Sequence, residues 1–363
     1  MEFQSEIKGL YIHFPFCRTR CPYCDFFSVP LNKAYPIKEL LKNELALYRE
    51  TGELTGVQNI YFGGGTPSLA DLSFFADIIG GFASPEEITV EVNPEDADRD
   101  LLNGLKASGV NRISLGVQTL NDDALTRMGR HYSGKRALRT LEQAGLIFGN
   151  VSADRLIGFP GDSETLLETD YQAFLNAGPV HISAYQLTLN GTQKKYFDFD
   201  PDNEHTAELY FLTCEILEKN GFRHYEISNF AKHGYEAKYN SALWRGEDYI
   251  GIGPGAWGTV RSRRYSNHCS LIRYEKSITA GRLPISSEEI LAPETIMFEK
   301  FMLGLRTDDG IDAGIFTPLL NLNAAQAAVS EGLAFVSDGR VRLTCKGMSV
   351  YNEMVCYLSG PSE

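Results

Sequence analysis

The sequence predicts an α/β fold in which six βα units form a parallel sheet, closed or partly closed into a barrel, followed by a small C-terminal domain of short helices and a hairpin-like stretch. Three observations predict it. From Ile7 to about Phe230, short apolar β-branched runs alternate with longer amphipathic stretches, the pattern of repeated βα units. Glycines and unusual polar residues gather at the carboxyl ends of those runs, where barrel active sites are built. Past Phe230 the pattern changes, first to a segment rich in Gly and aromatics and then to short helices around a hairpin-like stretch. Periodicity alone fits an open doubly wound sheet equally well, and it is the position of the polar residues that points to a barrel.

The predicted strands are Leu10–Phe14, Asn59–Phe62, Ile88–Val92, Arg112–Val117, Val151–Leu156 and His181–Leu187. Between and after them, 3.6-residue periodicity predicts helices over Ile37–Thr51, Leu69–Gly80, Arg99–Ser108, Lys135–Phe148, Thr165–Asn176 and Thr206–Asn220. Gly109, Gly145, Gly178 and Gly221 read as their C-terminal caps. Cys17 to Cys24 follow the first strand, Gly63-Gly64-Gly65 end the second, Glu91 to Pro94 end the third, Gln118 ends the fourth, and Asp154 lies in the fifth. The hairpin-like stretch is Leu333–Leu343, and no repeat or low-complexity tract interrupts the chain.

A chain of 363 residues is long enough for one large core and a smaller appended domain. With 43% hydrophobic and 22% charged residues, and no apolar run approaching the roughly 18 residues that cross a bilayer, a soluble globular protein is expected. The polar N-terminus carries no visible secretory signal, so the cytoplasm is the expected location, with peripheral contact at the inner membrane left open. A net charge of -13 argues against a general nucleic-acid or anionic-membrane surface, since both need Lys and Arg to displace counterions.

Of the seven cysteines, Cys17, Cys21 and Cys24 fall on one short segment after a strand, close enough to ligate three corners of one cluster. Soft thiolate sulfur holds iron and tolerates its redox change, and the fourth iron would stay open for another ligand. Two other readings use the same residues. Cys21-Pro22-Tyr23-Cys24 spells a glutaredoxin-type dithiol, but such domains are far smaller than this chain. His13 with the three cysteines would make a four-ligand zinc site.

Tyr11-Ile-His13-Phe-Pro15-Phe-Cys17, with Cys21-Pro-Tyr-Cys24-Asp25-Phe26, resembles the opening of the radical SAM family that contains oxygen-independent coproporphyrinogen III dehydrogenase and the HemW-like haem chaperones. The match continues through Phe62-Gly63-Gly64-Gly65-Thr66-Pro67, Glu91-Val-Asn93-Pro94-Glu95, Ser114-Leu-Gly116-Val-Gln118 and Asp154-Arg-Leu-Ile-Gly158-Phe-Pro160-Gly161. It resumes at Tyr225-Glu-Ile-Ser-Asn229-Phe230-Ala231 and Tyr249-Ile-Gly251-Ile-Gly253, and ends with Leu303-Gly-Leu-Arg306 and Leu343-Thr344 before Gly347. The resemblance implies a radical SAM partial (β/α)6-type barrel over 1–230, a connecting segment closing the site over 231–290, and a HemN-type domain over 291–363. It implies a 4Fe-4S cluster on Cys17, Cys21 and Cys24 and S-adenosylmethionine (SAM) held by Tyr11, Gly64, Gly65, Thr66, Glu91, Gln118, Arg130, Asp154 and Ala256. Arg130 is expected to pair with a carboxylate in bidentate fashion.

Phe26 stands where the dehydrogenase has a further cysteine, and only ten residues precede Tyr11, so the chaperone is the closer likeness and the dehydrogenase the alternative. The resemblance implies haem or another tetrapyrrole as cargo, haem-requiring respiratory proteins as recipients and a reductant protein for the cluster, with a homodimer left open. The chaperones carry a His-Asn-x-x-Tyr-Trp motif associated with haem; Tyr239, Asn240 and Trp244 occupy its aligned positions here, with Leu243 in place of the tyrosine. A Tyr phenolate can hold haem iron, so Tyr239 is a candidate axial ligand, and His233 is near in sequence.

Overall fold

In the computed structural model, which describes residues 7–360 apart from Thr192, Tyr196, Asp198, Asp200 and Asp202, six parallel strands lie side by side in chain order. They are β1 (Gly9–Phe14), β2 (Asn59–Gly64), β3 (Glu87–Val92), β4 (Arg112–Gln118), β5 (Val151–Ile157) and β6 (His181–Gln186), each ending within two residues of its predicted bounds. The N-terminal residues through Glu6, on which the reading of signal and location partly rested, lie outside the described residues.

Strand alternation sets what faces the helices and what faces the lumen. In β1, Leu10, Ile12 and Phe14 are buried in the main hydrophobic core, while Tyr11 and His13 bond to each other on the opposite face. The covering layer is α1 (Ile37–Glu50), α2 (Leu72–Ile79), α3 (Arg99–Ala107), the short α4 (Asp122–Arg127), α5 (Gly134–Phe148), α6 (Glu164–Ala177) and α7 (Asn203–Lys219). At six residues, α4 is too short to show a helical period, and the sequence reading passes over it. Asp98, Ser133 and Ser163 cap α3, α5 and α6 by accepting a backbone N–H. Gly178 ends α6 in the left-handed region as expected, whereas Gly145 lies inside α5, whose left-handed cap is Gly149 at φ +69°.

The sheet runs on beyond the six βα units. On the β6 side it adds β8 (Asn229–Ala231) and then β7 (Arg223–Glu226), both antiparallel. On the β1 side, β9 (Tyr249–Ile252) joins in parallel, followed by antiparallel β10 (Trp257–Val260), β11 (Arg263–Asn267) and β12 (Ile285–Ile290). The result is one twelve-stranded sheet whose two ends are β12 and β7. Two helices accompany this second half, α8 (Lys238–Trp244) and α9 (Leu271–Thr279).

A second hydrophobic cluster gathers around Phe301, Leu305, Ala328 and Leu358. It is built by α10 (Pro293–Leu305), β13 (Ile311–Asp312), α11 (Leu322–Ser330), the hairpin of β14 (Ala334–Ser337) and β15 (Arg340–Leu343), α12 (Cys345–Ser349) and α13 (Tyr351–Leu358). Asp338 and Gly339 turn the hairpin with φ of 51° and 71°, the pair of positive values that a two-residue hairpin of this hand requires. No helix among the described residues is long and apolar enough to cross a membrane.

Candidate functional site

After β1 the chain runs through Phe16–Cys17, which pairs in parallel with Val29–Pro30, so the cysteine loop leaves and returns on one short ladder. The Cys24 amide closes a turn on the Cys21 carbonyl at 3.1 Å. The glycine turn after β2 is stitched to the same ladder: the Gly65 amide donates to Phe14 O and the Thr66 amide to Phe16 O, both at 2.8 Å. A Cβ on Gly65 would lie 2.6 Å from Phe16 O, which explains the glycine by backbone approach.

Side chains then link these loops to the ends of β3 and α4. The Thr66 hydroxyl lies 3.6 Å from Cys17 Sγ, Asn93 donates to Thr66 Oγ1 at 3.1 Å, and Arg130 donates to Asn93 Oδ1 at 2.7 Å and to the Tyr23 hydroxyl at 2.6 Å. Much of the Arg130 fork is therefore committed to holding Tyr23 inside the cysteine loop, rather than left open for a carboxylate.

His13 does not join the cysteines. Its Nε2 faces the Phe27 carbonyl at 2.8 Å, so it carries the proton, and Nδ1 takes the Tyr11 hydroxyl at 3.0 Å. Both ring nitrogens are occupied, and burial holds the imidazole neutral with its pKa down to about 4. A Cβ on Gly64, which sits at φ +107°, would strike the His13 ring at 2.6 Å. The donor set is thus three thiols on one part-exposed loop, with a hydroxyl beside Cys17. Burial pushes the Cys17 and Cys24 thiols up, so a cation is what would hold them as thiolates. Three soft donors on one loop, with His13 engaged elsewhere, fit a cluster with one open iron better than a closed zinc site.

Inside the barrel, Glu91 accepts the Tyr61 hydroxyl at 2.8 Å, and Asp154 accepts the Ser114 hydroxyl at 3.1 Å and the Ser152 hydroxyl at 3.2 Å. Neither forms an ion pair among the described residues. Burial, with each other's charge adding for Glu91, raises Glu91 to about 7, and burial raises Asp154 to about 6. Tyr11, Gly116, Glu91 and Asp154 nevertheless keep partial exposure, as groups lining an internal cleft do. Gly63 keeps this cleft open, since a Cβ there would sit 3.0–3.1 Å from Tyr61, Glu91 and Tyr11. Gln118 ends β4 after a register shift, at φ +68°, an uncommon conformation for a non-glycine residue. Ala256 is buried in the turn from β9 to β10, where its carbonyl accepts the Asn267 amide.

Glu44 on α1 is a site residue that sequence reading missed. Fully buried and raised by that burial to about 7, it accepts the Gly253 amide at 2.9 Å, the Asn267 side chain at 2.7 Å and the Tyr274 hydroxyl. It thereby anchors the glycine turn of β9 against β1, where a Cβ on Gly253 would lie 2.3 Å from His13 O. Its one sequence signal is a carboxylate within the apolar stripe Leu40, Leu41, Leu45, Tyr48.

At the amino-terminal ends of the strands, α8 forms a floor. Glu87 at the start of β3 accepts the Lys238 and Tyr239 amides, each at 3.0 Å, and so draws the helix N-terminus beneath the barrel. Tyr239 is 3% exposed, its ring 5.2 Å from that of Tyr61, and a Cβ on Gly9 would meet it at 3.2 Å. The candidate axial ligand is therefore a core residue, shielded by the strands it packs against. Asn240 is half-buried one position on, and His233 is exposed on the preceding loop.

Trp244, at the other end of α8, opens onto a cavity of about 750 Å³ beside the start of β1 and β9. Its lining includes Trp244, Trp257, Tyr249 and Leu303, with Lys8, Arg245, Arg261, Arg264 and Lys300 and the carboxylates Glu247, Asp248 and Glu299 among the polar groups. The Arg306 guanidinium lies 4.3 Å above the Trp244 ring and is held by Glu226 at 2.7 Å. Trp257 is not a core residue but 53% exposed at this cavity.

Comparison with known proteins settles the family. The Radical SAM superfamily model matches residues 11–174 and the HemN C-terminal domain model matches 291–350. Heme chaperone HemW of Bacillus subtilis is 33% identical over 96% of this chain and 98% of that protein. The Lactococcus lactis protein of the same name is 31% identical over 96% of both. The chain belongs to the HemW family of radical SAM proteins. A mitochondrial relative from Bos taurus, radical S-adenosyl methionine domain-containing protein 1, is 32% identical over 98% of this chain and 88% of its own length. The fold is also that of Escherichia coli HemN, with a TM-score of 0.83 and 19% identity over 98% of this chain and 91% of that one. A 4Fe-4S cluster and SAM are the cofactors of this radical SAM family, and the three-thiol loop and the glycine-lined cleft beside it fit them.

Proposed function

We propose that this HemW-family chain is a haem chaperone that takes haem into the cavity beside α8 and passes it to haem-requiring respiratory proteins. In this reading Cys17, Cys21 and Cys24 hold the cluster and the lumen holds SAM. When bound, the cluster supplies a low-potential electron and one open iron position, and SAM supplies a sulfonium that such an electron can cleave. The chain's own residues do the positioning. Thr66, Asn93, Arg130 and Tyr23 fix the cysteine loop against the glycine turn. Glu91 and Asp154, two carboxylates facing the cleft with no ion pair among the described residues and only the charge of Arg112 acting from nearby, suit a ligand that brings an ammonium and a sulfonium.

The observation that carries the haem reading is the cavity itself. Its volume of about 750 Å³ lies within the usual range for ligand sites, its walls are largely aromatic and aliphatic, and its rim carries Lys8, Arg261 and Lys300 for propionate carboxylates, besides Arg264 and Arg245, which are paired with Glu299 and Glu247. It is reached from the Trp244 end of α8, the helix that aligns with the chaperones' haem motif. Tyr249 lines it, and although burial raises its phenol against the partial offset of Arg264, Tyr249 rather than the shielded Tyr239 is the tyrosine placed to meet iron. Delivery to recipients requires contacts with those proteins, and reduction of the cluster requires an external electron donor.

Both tryptophans of the chain line this cavity, which gives a direct test. Titration with ferric haem is expected to quench nearly all tryptophan emission with saturation at one haem per chain, and Tyr249→Phe is expected to change the absorption spectrum of the bound haem. Saturable one-to-one binding that persists undiminished in a Trp244→Ala, Arg264→Ala double variant would place haem elsewhere.

A further inference from the structure

Away from the barrel mouth and the cavity, α7, β7 and α12 bring Cys214, His224 and Cys345 together, their ligand atoms all within 4.8 Å of one another. The Cys214 and Cys345 sulfurs are 2.6 Å apart, and Cys214 Sγ is 3.8 Å from His224 Nδ1. The two thiols belong to different parts of the chain. Cys214 is buried in the barrel's core, whereas Cys345 begins α12 of the C-terminal segment, packs against that core and remains partly exposed.

The tautomer of His224 follows from its neighbours. Its Nε2 lies 3.2 Å from the Ile227 carbonyl, which only accepts, and 3.2 Å from the Tyr210 hydroxyl, whose own hydrogen goes to that carbonyl at 2.8 Å, so Nε2 carries the proton and Nδ1 turns a lone pair toward Cys214. Stacking on Phe230 at 4.2 Å fixes the ring, and burial keeps it neutral with the pKa down to about 4. A tetrahedral zinc would hold two thiolates about 3.7 Å apart, given zinc–sulfur bonds of about 2.3 Å. The observed sulfur contact is more than 1 Å closer, which favours direct sulfur–sulfur chemistry.

We propose that Cys214 and Cys345 form a redox-active thiol pair that closes in exchange with a small-molecule disulfide and ties the C-terminal segment to the barrel, with His224 as proton acceptor. The partly exposed Cys345 thiolate attacks the small disulfide, forming a mixed disulfide and releasing one thiolate. The Cys214 sulfur then attacks that of Cys345 while its proton passes by way of His224 Nδ1 to the departing second small thiolate, so that no imidazolium or free Cys214 thiolate builds up at a site where the Cys345 contact and burial raise the Cys214 thiol and burial lowers His224. Two protein thiols are oxidised by two electrons, and one small disulfide is reduced to two thiols.

The test uses anaerobic holoprotein incubated with oxidised glutathione, quenched with maleimide and mapped by mass spectrometry. The expected product is a crosslink between the peptides of Cys214 and Cys345, with exposed Cys269 and Cys356 carrying glutathione or maleimide instead. The oxidised protein should melt about 5 °C or more above the reduced one, because the bridge closes a long loop. In Cys214→Ser, Cys345 should accumulate as the glutathione adduct; should that variant fail to fold, Cys345→Ser should leave Cys214 unmodified in the native protein. His224→Gln should slow closure at least tenfold with the same end point. Wild-type protein that ends with glutathione on Cys345 and a free Cys214 would overturn the proposal. So would one zinc per chain that is retained by wild type, lost in Cys345→Ser, and accompanied by no crosslink.

Discussion

The two ends of the barrel are built on opposite plans. At the mouth, each candidate residue is tied to the next by a polar contact, from Cys17 through Thr66 and Asn93 to Arg130 and Tyr23. At the floor, Tyr239 and Tyr61 meet by ring contact, and the cavity beyond is walled by aromatic and aliphatic side chains from α8, β9, β10 and α10, with the ion pairs Arg264–Glu299 and Arg245–Glu247 at its edge. A polar network fixes positions to within a hydrogen bond, as a small ligand held at several atoms needs. A largely apolar cavity with a charged rim holds a large flat ligand mainly by area, as a carrier needs. A column of contacts joins the ends, in which Tyr239 packs on Tyr61 and Tyr61 donates to Glu91.

The largest effect that would sharpen this contrast is at the cysteine loop. Cys17→Ala, Cys21→Ala or Cys24→Ala should each abolish the cluster, taking about four iron and four sulfide per chain to near zero. Exposed Cys356→Ala should change neither. Haem affinity should survive all three mouth substitutions within twofold. Simultaneous loss of haem binding, measured by titration, would show the two ends to be one site.

Next comes the floor. Trp244→Ala should weaken haem at least tenfold, roughly 1.4 kcal/mol, by removing an aromatic wall, while SAM affinity by calorimetry stays unchanged. A fall in both would mean that α8 carries the mouth as well as the cavity, through its grip on Glu87.

How much of this was legible in the sequence divides along the same line. The mouth was readable because its parts are contiguous: three thiols within eight residues, three glycines in a row, and a carboxylate at a strand end. The strands were readable too, since β-branched runs buried on the helix side keep their character whatever they pack against. Glu44 was not, because its partners Gly253, Asn267 and Tyr274 lie more than 200 residues away and a single carboxylate in an apolar stripe has no local meaning. The commitment of Arg130 to Tyr23 was hidden for the same reason, although both residues stood in view. Nor could spacing reveal the cavity, which Lys8, Trp244, Trp257 and Leu303 build from four separate segments. Tyr239 was read as a candidate ligand from its place in a motif; only the register of α8 against Glu87 shows that it faces the strands.

A smaller effect lies in the pH dependence of the mouth. Burial raises Glu91 to about 7 from an ordinary value of 4.5, so the folded, ligand-free barrel binds a proton more tightly than the unfolded chain does. Its contribution therefore lowers stability as pH rises between those values, and the loss levels off above about 7. A cationic ligand favours the carboxylate and releases that proton, so SAM affinity should rise with pH through the same interval, by up to about tenfold per unit. Glu91→Gln should bind more weakly and flatten the profile down to about pH 6, where Asp154 takes over. Calorimetry in buffers of different ionisation enthalpy would count the released proton; equal heats in all buffers at pH 6.5 would remove Glu91 from the ligand's surroundings.

The smallest expected effect is also the most diagnostic for the floor. Tyr239→Phe keeps the ring that stacks on Tyr61 and fills the space against Gly9, so it should alter stability by only about 1 kcal/mol or less. The absorption spectrum of bound haem should not change, because the ring faces the strands and the cavity lies at the other end of α8. Tyr239→Ala is the counterpart: it empties a buried site, should cost about 3–5 kcal/mol in urea unfolding, and by freeing Tyr61 should loosen the lumen around Glu91. If Tyr239→Phe instead removed a tyrosinate band and left stability and SAM affinity intact, the phenol would be reaching iron, and α8 would have to leave Glu87 to let it do so.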